Sequence, residues 1–423
     1  MSEHDLRESL PCVHCGLCLD ACPTYRVLGT EGDSPRGRIY IMEAITRGEV
    51  PLDAGAAAHL DSCLGCLACE TACPSGVSFG ERIEKFRPRL RPRTGLRGRW
   101  RDLTRDLYDD ERMLRIGLKT ARILDTLGLA RLRRKVPGLG ILPGRERSDA
   151  GSDTTPLRRS RVQQPGYPRL RAALVGRCGA DVIAPAINRA AVEVLQRNNV
   201  EVVEVAGAGC CGALDLHGGD EDEARALIAA NTRALALAIE KEKIDVIVTT
   251  AAGCGAAVRD YGRFTAAMDN ELARLGAMVS ERARDICELL VEIEFERPEI
   301  PAGAEKRIAY HDACHLLNGC GITDAPRAVV EAAMGVPPID LGENSICCGS
   351  AGRYNLDHPA MADTLGGRKA ELVKACGADT VAVGNVGCIL QISKSLAQAG
   401  HKAQVKHPVE LLADAYQRAH GNA

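Results

Sequence analysis

The sequence is poor in aromatic residues and has no long apolar run. Phe, Trp and Tyr make up only 3% of its 423 residues, with a single Trp. Single-stranded nucleic acids are bound largely by stacking their bases on aromatic rings, so we expect no nucleic-acid partner. No stretch of 18 apolar residues occurs, which excludes an obvious membrane-spanning helix. The formal net charge of −2 also argues against a general polyanion-binding function.

We expect no export signal either, since the first ten residues are charged and no apolar segment follows them. Cysteine, in contrast, is abundant, with 19 residues. In a long chain without an export signal, many thiols indicate metal ligands rather than disulfides. The sequence therefore predicts a cytoplasmic, metal-binding protein, and its length predicts several domains.

Eight cysteines near the start of the chain form two matching motifs of the type Cys-x2-Cys-x2-Cys-x3-Cys-Pro. This run is typical of dicluster ferredoxins, in which the fourth cysteine of each motif binds the other cluster. We therefore predict two [4Fe-4S] clusters, one on Cys12, Cys15, Cys18 and Cys73 and the other on Cys63, Cys66, Cys69 and Cys22. Structural zinc is the alternative, but zinc sites combine two Cys-x2-Cys pairs rather than two runs of four.

Other residues of this region have simpler expected roles. His14 lies inside the first motif and is expected to be a solvated loop residue rather than a ligand. Gly16 and Gly65 are expected to relieve crowding beside the cluster sulfides. A short helix is predicted between the motifs, over residues 35–46.

After residue 168 strand and helix patterns alternate and then recur. Strands are predicted at 170–176, 200–205 and 244–250, and again at 307–311 and 380–383. Three cysteine sites recur with them at a nearly constant spacing: Cys178, Cys210-Cys211 and Cys254 become Cys314, Cys347-Cys348 and Cys388. We interpret this as a tandem duplication of an α/β unit with a parallel sheet.

The repeated cysteines can converge, because side chains at the carboxyl ends of parallel strands share one crevice. Metal binding or redox use is the functional interpretation, and burial as a small apolar residue is the alternative, which suits Cys287, Cys376 and Cys320. For His217, His311 and His315 we favour hydrogen bonds to a cluster over metal ligation, and ordinary packing is the third alternative. Arg353 and Tyr354 follow the second Cys-Cys-Gly, where a cation could stabilise a reduced cluster or pair with a surface acid.

The segment between the cysteine motifs and the repeats is locally basic. Residues 81–105 hold ten Lys or Arg against three acids, and an amphipathic helix pattern follows over 106–135. This segment could dock an acidic partner or an anionic membrane surface, or be a solvated linker. Residues 145–168 are predicted to be a linker. The predicted domains are residues 1–90, 91–168, 169–300 and 305–418.

Taken together, these motifs resemble the iron-sulfur subunits of glycolate oxidase over nearly the whole chain. The resemblance is carried by residues 34–38 (SPRGR) between the ferredoxin motifs, 210–214 (CCGAL) with His217, 347–352 (CCGSAG) and 385–388 (NVGC). It implies an α-helical dicluster ferredoxin-like domain followed by two α/β cysteine-rich domains. It also implies transfer of electrons from an FAD-containing 2-hydroxy-acid dehydrogenase subunit to a quinone or another carrier, with the flavin only in the partner.

The same domain order occurs in lactate-utilisation proteins, in an anaerobic glycerol-3-phosphate dehydrogenase subunit and in heterodisulfide reductases. In the heterodisulfide reductases the repeat ends in Cys-x2-Cys and holds noncubane clusters at which the disulfide is cleaved. Here Ala251 and Asn385 stand where the first of those cysteines would be. This departure disfavours a disulfide reductase and leaves open whether the repeats hold clusters. A sensing protein without turnover is a third class, which two adjacent clusters suit less well than conduction.

Overall fold

The computed structural model describes residues 12–90, 111–129, 142, 170–175, 179–300, 307–343 and 345–421. Up to residue 90, short helices surround the two cysteine motifs: α1 (Pro23–Leu28), α2 (Pro35–Thr46), α3 (Ala54–Asp61), α4 (Ala68–Thr71) and α5 (Phe79–Leu90), with a 3₁₀ turn at Glu31–Asp33. Proline begins α1 and α2, where its fixed φ suits a helix start and its missing N–H breaks no hydrogen bond. Helix α2 confirms the helix predicted between the motifs.

The core of this N-terminal region lies between α2, α3 and α5. Ile39 and Met42 of α2 pack with Leu60 of α3 and with Ile83 and Phe86 of α5. Cys63 and Cys69 belong to the same buried cluster. The second cysteine motif is therefore anchored in a hydrophobic core.

Helix α6 (Glu111–Thr126) has one buried face, as the amphipathic pattern predicted. Leu114, Leu118 and Ala121 are buried together with Leu142, while Ile116 and Ile123 are exposed. The helix was predicted over residues 106–135. Of these, the structure describes only residues 111–129. The predicted linker and most of the basic segment lie outside the described residues.

The first repeat contains a parallel sheet of β1 (Leu170–Val175), β2 (Val200–Val203), β3 (Val246–Thr249) and β4 (Ala283–Asp285) in the order β2-β1-β3-β4. Its helices are α7 (Gly179–Ile183), α8 (Pro185–Arg197), α9 (Ala213–Gly218), α10 (Glu221–Glu242), α11 (Ala252–Arg259), α12 (Tyr261–Ala266), α13 (Asn270–Arg282) and α14 (Ile286–Glu292). The first three strands confirm the predicted ones. The edge strand β4 was missed, because three residues are too few to show a periodic pattern.

The second repeat has the same topology, which confirms the parallel α/β fold. Its sheet has the order β6-β5-β7-β8, with β5 (Ile308–Tyr310), β6 (Ile339–Asp340), β7 (Thr380–Ala382) and β8 (Gln404–Lys406). A π-helical turn spans His315–Gly319, and the α-helices are α15 (Asp324–Met334), α16 (Tyr354–Asp357), α17 (Pro359–Cys376), α18 (Val386–Gln398) and α19 (Pro408–Gly421). The short strands β6 and β8 were not predicted.

The two repeats share one hydrophobic core. Val248 and Leu290 of the first repeat and Val381 and Leu412 of the second belong to a single buried cluster. The backbone N–H of Ala252 donates to the carbonyl of Gly384 at 3.1 Å, so the segments that follow β3 and β7 also meet. The repeats are therefore packed side by side rather than joined only by a linker. Among the described residues, every helix is too short or too polar to span a bilayer.

Two adjacent glycines of α17 provide a test of this packing. A methyl group on Gly366 would overlap the Ser395 hydroxyl and lie 2.9 Å from Gln391 Nε2, whereas one on Gly367 would meet nothing within 4 Å. We expect Gly366→Ala to lower stability by about 1–3 kcal/mol through overpacking. Gly367→Ala should raise it by about 0.5–1 kcal/mol, because alanine favours the helix. Thermal unfolding of the full chain measures both, and equal shifts would contradict the packing of α17 on α18.

Candidate iron-sulfur and thiol sites

The first predicted thiol set gathers around one surface cavity. Cys12, Cys15, Cys18 and Cys73 all line it, with Arg36 at its edge. Cys73 belongs to the second motif, so the structure brings the fourth cysteine of one run to the first three of the other. Cys15 is exposed and the other three are half-buried. This arrangement of four thiols fits the ligand set expected for one cluster.

The second predicted set is buried. Cys22, Cys63, Cys66 and Cys69 are all less than one-tenth exposed, and the Cys69 thiol interacts electrostatically with the other three. Burial raises the pKa of Cys66 and Cys69 well above the usual thiol value. Such thiols stay protonated in the apoprotein, and binding a metal would displace their protons. The donor set and its dry surroundings fit a second cluster.

Both motif loops turn on a pair of left-handed residues. In the first motif these are His14 (φ 53°) and Gly16 (φ 88°), and in the second they are Gly65 (φ 65°) and Leu67 (φ 61°). The positions are the third and fifth of each motif, and each motif places glycine at a different one of the two. Gly16 and Gly65 therefore have a conformational role in addition to any relief of crowding. His14 is exposed, as expected for a solvated loop residue.

Arg38, from the 34–38 segment, is buried beside the second thiol set. It is 1% exposed and donates to the Thr24 hydroxyl at 2.9 Å and to the Ser62 hydroxyl at 2.8 Å. Its guanidinium also lies 3.8 Å from Cys22 Sγ and 3.7 Å from the Asp33 carboxylate. A positive charge is thus fixed next to a predicted cluster ligand.

The thiols of the first repeat also meet. The Cys211 thiol contacts those of Cys210 and Cys254, and the hydrogen bond with Cys210, together with burial, raises the pKa of Cys211 to about 12. Tyr261 donates to the Cys211 carbonyl at 3.0 Å. Cys178, the remaining predicted member, lies outside the described residues.

The loop before α9 has glycines at 207, 209 and 212, the Gly-x-Gly-x-x-Gly spacing of dinucleotide-binding sites. In those sites the loop opens onto a long helix whose free N–H groups face the phosphates. Here α9 has only six residues, and the two variable positions before Gly212 are Cys210 and Cys211. The glycine spacing therefore belongs to the loop that carries the thiols and does not indicate a nucleotide-binding site.

The second repeat brings together all four of its predicted thiols. Cys347 contacts Cys314 on one side and Cys348 on the other, and Cys348 contacts Cys388. The hydrogen bond with Cys347 and burial raise the pKa of Cys314 well above its usual range. Backbone N–H of Gly349 donates to Cys347 Sγ at 3.4 Å, and Asn385 Nδ2 donates to Cys388 Sγ at 3.3 Å. The residue that replaces a cysteine in the wider family is therefore a donor to the neighbouring sulfur.

The three histidines fall into two groups. His311 is fully buried beside Cys348 and Cys388, and burial holds its pKa well below the usual value. His217 and His315 face each other across the repeats, with ring centroids 4.9 Å apart. Burial lowers the pKa of His315 to about 3. His217 Nδ1 lies 3.3 Å from the Glu84 carboxylate of α5, so this pair is connected to the N-terminal region.

Arg353 and Tyr354 both join separate parts of the molecule. Arg353 pairs with Asp220 of the first repeat at 2.6 Å, and both side chains are buried, so its partner is not a surface acid. Tyr354 donates through its hydroxyl to the Ser62 carbonyl, just before the second motif, at 2.9 Å. These two residues act as ties between the second repeat and its neighbours.

The second cysteine motif is seated against the repeats. Cys66 shares a buried cluster with Cys314 and Cys347, and Asn318 Nδ2 donates to the Cys66 carbonyl at 3.0 Å. Arg87 of α5 donates to the Cys63 carbonyl and to the His217 carbonyl, both at 2.6 Å. The second thiol set thus lies between the N-terminal region and the thiols of the second repeat.

Sequence reasoning missed Asn318, Asp220 and Lys369, because nothing in their local pattern distinguishes them from surface residues. Lys369 is 1% exposed and interacts electrostatically with Cys347 and Cys348.

Two further cysteines fit the prediction that they serve as small apolar residues. Cys287 is 1% exposed, and the Cys376 thiol donates to a carbonyl of its own helix at 3.2 Å.

Comparison with protein families agrees with this arrangement. Residues 8–77 match the family described as a 4Fe-4S dicluster domain. Residues 174–259 and 308–393 each match the family described as a cysteine-rich domain. Both repeats therefore match the same family, as a tandem duplication requires.

Several relatives match nearly the whole chain. The chain is 32% identical to the glycolate oxidase iron-sulfur subunit of Escherichia coli (strain K12), covering 96% of this chain and 94% of the relative. It is 30% identical to a probable glycolate oxidase iron-sulfur subunit of Bacillus subtilis (strain 168), covering 97% and 95%. One subunit of a fumarate reductase (CoM/CoB) from Methanothermobacter marburgensis is 27% identical over 97% of this chain and 73% of the relative.

Replacing Arg38 tests its role beside the second thiol set. Arg38→Gln should destabilise the chain by about 1–3 kcal/mol, because it removes a buried cation that donates to the Thr24 and Ser62 hydroxyls. Asp33, 3.7 Å away, keeps His59 as a neighbour at 3.1 Å. It should also shift the reduction potential of the nearby centre to more negative values, because a positive charge favours the reduced state.

The matched control is Arg47→Gln, which removes an exposed pair with Glu49 and should cost only about 0–1 kcal/mol. Thermal unfolding and an EPR-monitored redox titration measure both quantities. An unchanged potential in Arg38→Gln would contradict the electrostatic role.

Proposed function

Because the chain belongs to the family of glycolate oxidase iron-sulfur subunits, we propose that it carries electrons in a flavin-linked 2-hydroxy-acid dehydrogenase. The proposed substrate of the complex is glycolate, oxidised to glyoxylate on a partner subunit that holds FAD. The proposed acceptor is a quinone or another carrier. On its own the chain is proposed to have no catalytic residues.

The observation that carries this proposal is the crossed arrangement of the two thiol sets. Cys73 joins the first set and Cys22 the second, as two adjacent [4Fe-4S] clusters would require. When bound, such clusters pass single electrons, which allows a two-electron flavin to be oxidised in two steps. The exposed Cys15 places the first set near solvent, where a partner could approach. The buried second set leads inward, towards the repeats.

Disulfide reduction is the competing function. It is considered because the chain is also similar to a subunit of a fumarate reductase (CoM/CoB). That chemistry in the wider family uses a Cys-x2-Cys pair in the repeat. Here Asn385 and Ala251 replace the first cysteine of the pair, and the Asn385 side chain donates a hydrogen bond to Cys388 Sγ. The structure therefore favours conduction over cleavage of a disulfide.

Replacing one buried ligand tests the electron-transfer role. In the anaerobically purified native complex, Cys66→Ser should abolish glycolate-dependent reduction of the acceptor while the partner flavin is still reduced by glycolate. The control is Cys376→Ser, which should leave acceptor reduction unchanged because this thiol belongs to neither predicted cluster set and donates to a carbonyl of its own helix. Flavin absorbance and low-temperature EPR measure the two steps. Full acceptor reduction after loss of the cluster signal would refute the role.

The proposed location is cytoplasmic, with peripheral contact to a partner or to the inner face of the cytoplasmic membrane through the basic segment. Arg89, in the described part of this segment, is exposed.

Neutralising Arg89, Arg91, Arg93 and Arg97 to Gln should weaken complex or membrane association without changing iron content, because charge attraction is removed. Neutralising the exposed Arg233 and Arg274 is the control. Sedimentation with anionic vesicles and with the complex measures the effect, and unchanged sedimentation would exclude docking through this segment.

A further inference from the structure

A histidine in the second repeat is buried without a hydrogen-bond partner. His311 directly follows β5, is 0% exposed, and neither Nδ1 nor Nε2 has a partner. A neutral imidazole has one N–H donor and one acceptor, and leaving such groups unpaired in the interior costs about 1–3 kcal/mol each. An unpaired buried group of this kind indicates a missing partner, such as a metal ion.

Two thiols lie next to this imidazole. The ligand atoms of His311, Cys348 and Cys388 are all within 4.8 Å of one another, and all three residues are buried. In a tetrahedral site with metal–sulfur bonds of about 2.3 Å and metal–nitrogen bonds of about 2.0–2.1 Å, ligand atoms lie roughly 3.6–3.8 Å apart. The three donors are therefore close to the spacing of ligands that share one ion. Cys347 is not part of this group of three, but its thiol contacts that of Cys348, so a rotation of its side chain would supply a fourth donor.

The close thiol contacts favour one ion over a cubane cluster. A cubane takes one thiolate at each of its corner irons, which holds the ligand sulfurs further apart than the ligands of a single ion. In the second repeat the thiols of Cys347, Cys348 and Cys388 form a continuous hydrogen-bonded series instead.

The neighbouring groups suit metal-bound thiolates. Asn385 donates to Cys388 Sγ and Gly349 donates to Cys347 Sγ, and such outer hydrogen bonds orient ligands and stabilise charge on sulfur. Lys369 adds a buried positive charge near Cys347 and Cys348. Several thiolates on one divalent ion carry a net negative charge, which this cation would offset.

The first repeat is an internal comparison. It has the same thiol series, Cys210, Cys211 and Cys254, but the spacing that relates Cys178 to Cys314 places Val175 at the position of His311. Val175 is 3% exposed and packs in an apolar core. Ala251 likewise takes the place of Asn385. Both the imidazole and the amide donor are therefore particular to the second repeat.

We propose that His311, Cys348 and Cys388 bind a single tetrahedral divalent ion, zinc or ferrous iron, with Cys347 as the fourth ligand. The site is additional to the two ferredoxin-type clusters and does not depend on the proposed electron-transfer function. The ion would connect the end of β5, the Cys-Cys loop and the start of α18. These segments follow three adjacent parallel strands, whose carboxyl ends face one crevice.

The test uses the full chain, purified without oxygen from cells supplied with both metals. Zinc, iron and acid-labile sulfide are measured per chain. We expect about one metal ion per chain beyond the iron that matches the sulfide. If the ion is zinc, X-ray absorption should show sulfur ligands near about 2.3 Å and a nitrogen ligand near about 2.0–2.1 Å. If it is iron, Mössbauer spectra should show a ferrous component distinct from cluster iron.

His311→Val, which installs the residue of the first repeat, should lose this ion while the absorption of the two clusters is unchanged. Cys376→Ser should keep it. His311→Cys covers the case in which the valine variant does not fold: the ion should be retained and its nitrogen ligand lost.

Three outcomes would overturn the proposal. One is the absence of metal beyond the two clusters, and another is extra iron accompanied by matching sulfide, which would indicate a third cluster. The third is an ion whose content and nitrogen ligand are unaffected by replacing His311.

Discussion

Removal of the second thiol set from water is the constraint on which the surrounding structure depends. Burying four thiols also buries the peptide groups of the loop that carries them, and those groups need hydrogen-bond partners. Arg87 and Asn318 supply donors to the carbonyls of Cys63 and Cys66. Asn318 belongs to the second repeat, as does Tyr354, which bonds to the Ser62 carbonyl. The second repeat therefore completes the N-terminal region, and separating the two would expose unpaired carbonyls as well as apolar surface.

This dependence gives the two repeats unequal positions despite their common topology. The second repeat places Cys314 and Cys347 in the same buried cluster as Cys66. The first repeat contacts the N-terminal region through polar groups such as His217, which pairs with Glu84. The second repeat also makes polar contacts, but it adds an apolar contact between the second motif and its own thiols. Any redox or metal chemistry in the repeats is accordingly expected to couple to the second motif through Cys314 first.

Much of this architecture could be predicted from sequence, because the strongest patterns are local or repeated. The crossed thiol sets followed from two intact motifs, and the parallel sheets followed from alternation of strands and helices. The edge strands β4, β6 and β8 could not be predicted, because such short segments show no periodicity and pair only after the central strands exist. The roles of Asp220, Asn318 and Lys369 could not be predicted either, because each depends on a partner that is distant in the sequence. The predicted domain boundaries stay a prediction.

The duplication explains why the thiols alone do not define a site. Both repeats keep a contiguous thiol series, so that feature reflects the shared loop geometry after the strands. What differs is a pair of corresponding positions: Val175 and Ala251 in one copy, His311 and Asn385 in the other. Apolar neighbours stabilise protonated thiols, because they offer an anion no hydrogen bond and no neutralising charge. An imidazole and an amide donor stabilise metal-bound thiolates instead. Two copies of one fold can thus hold the same sulfur atoms in different chemical states.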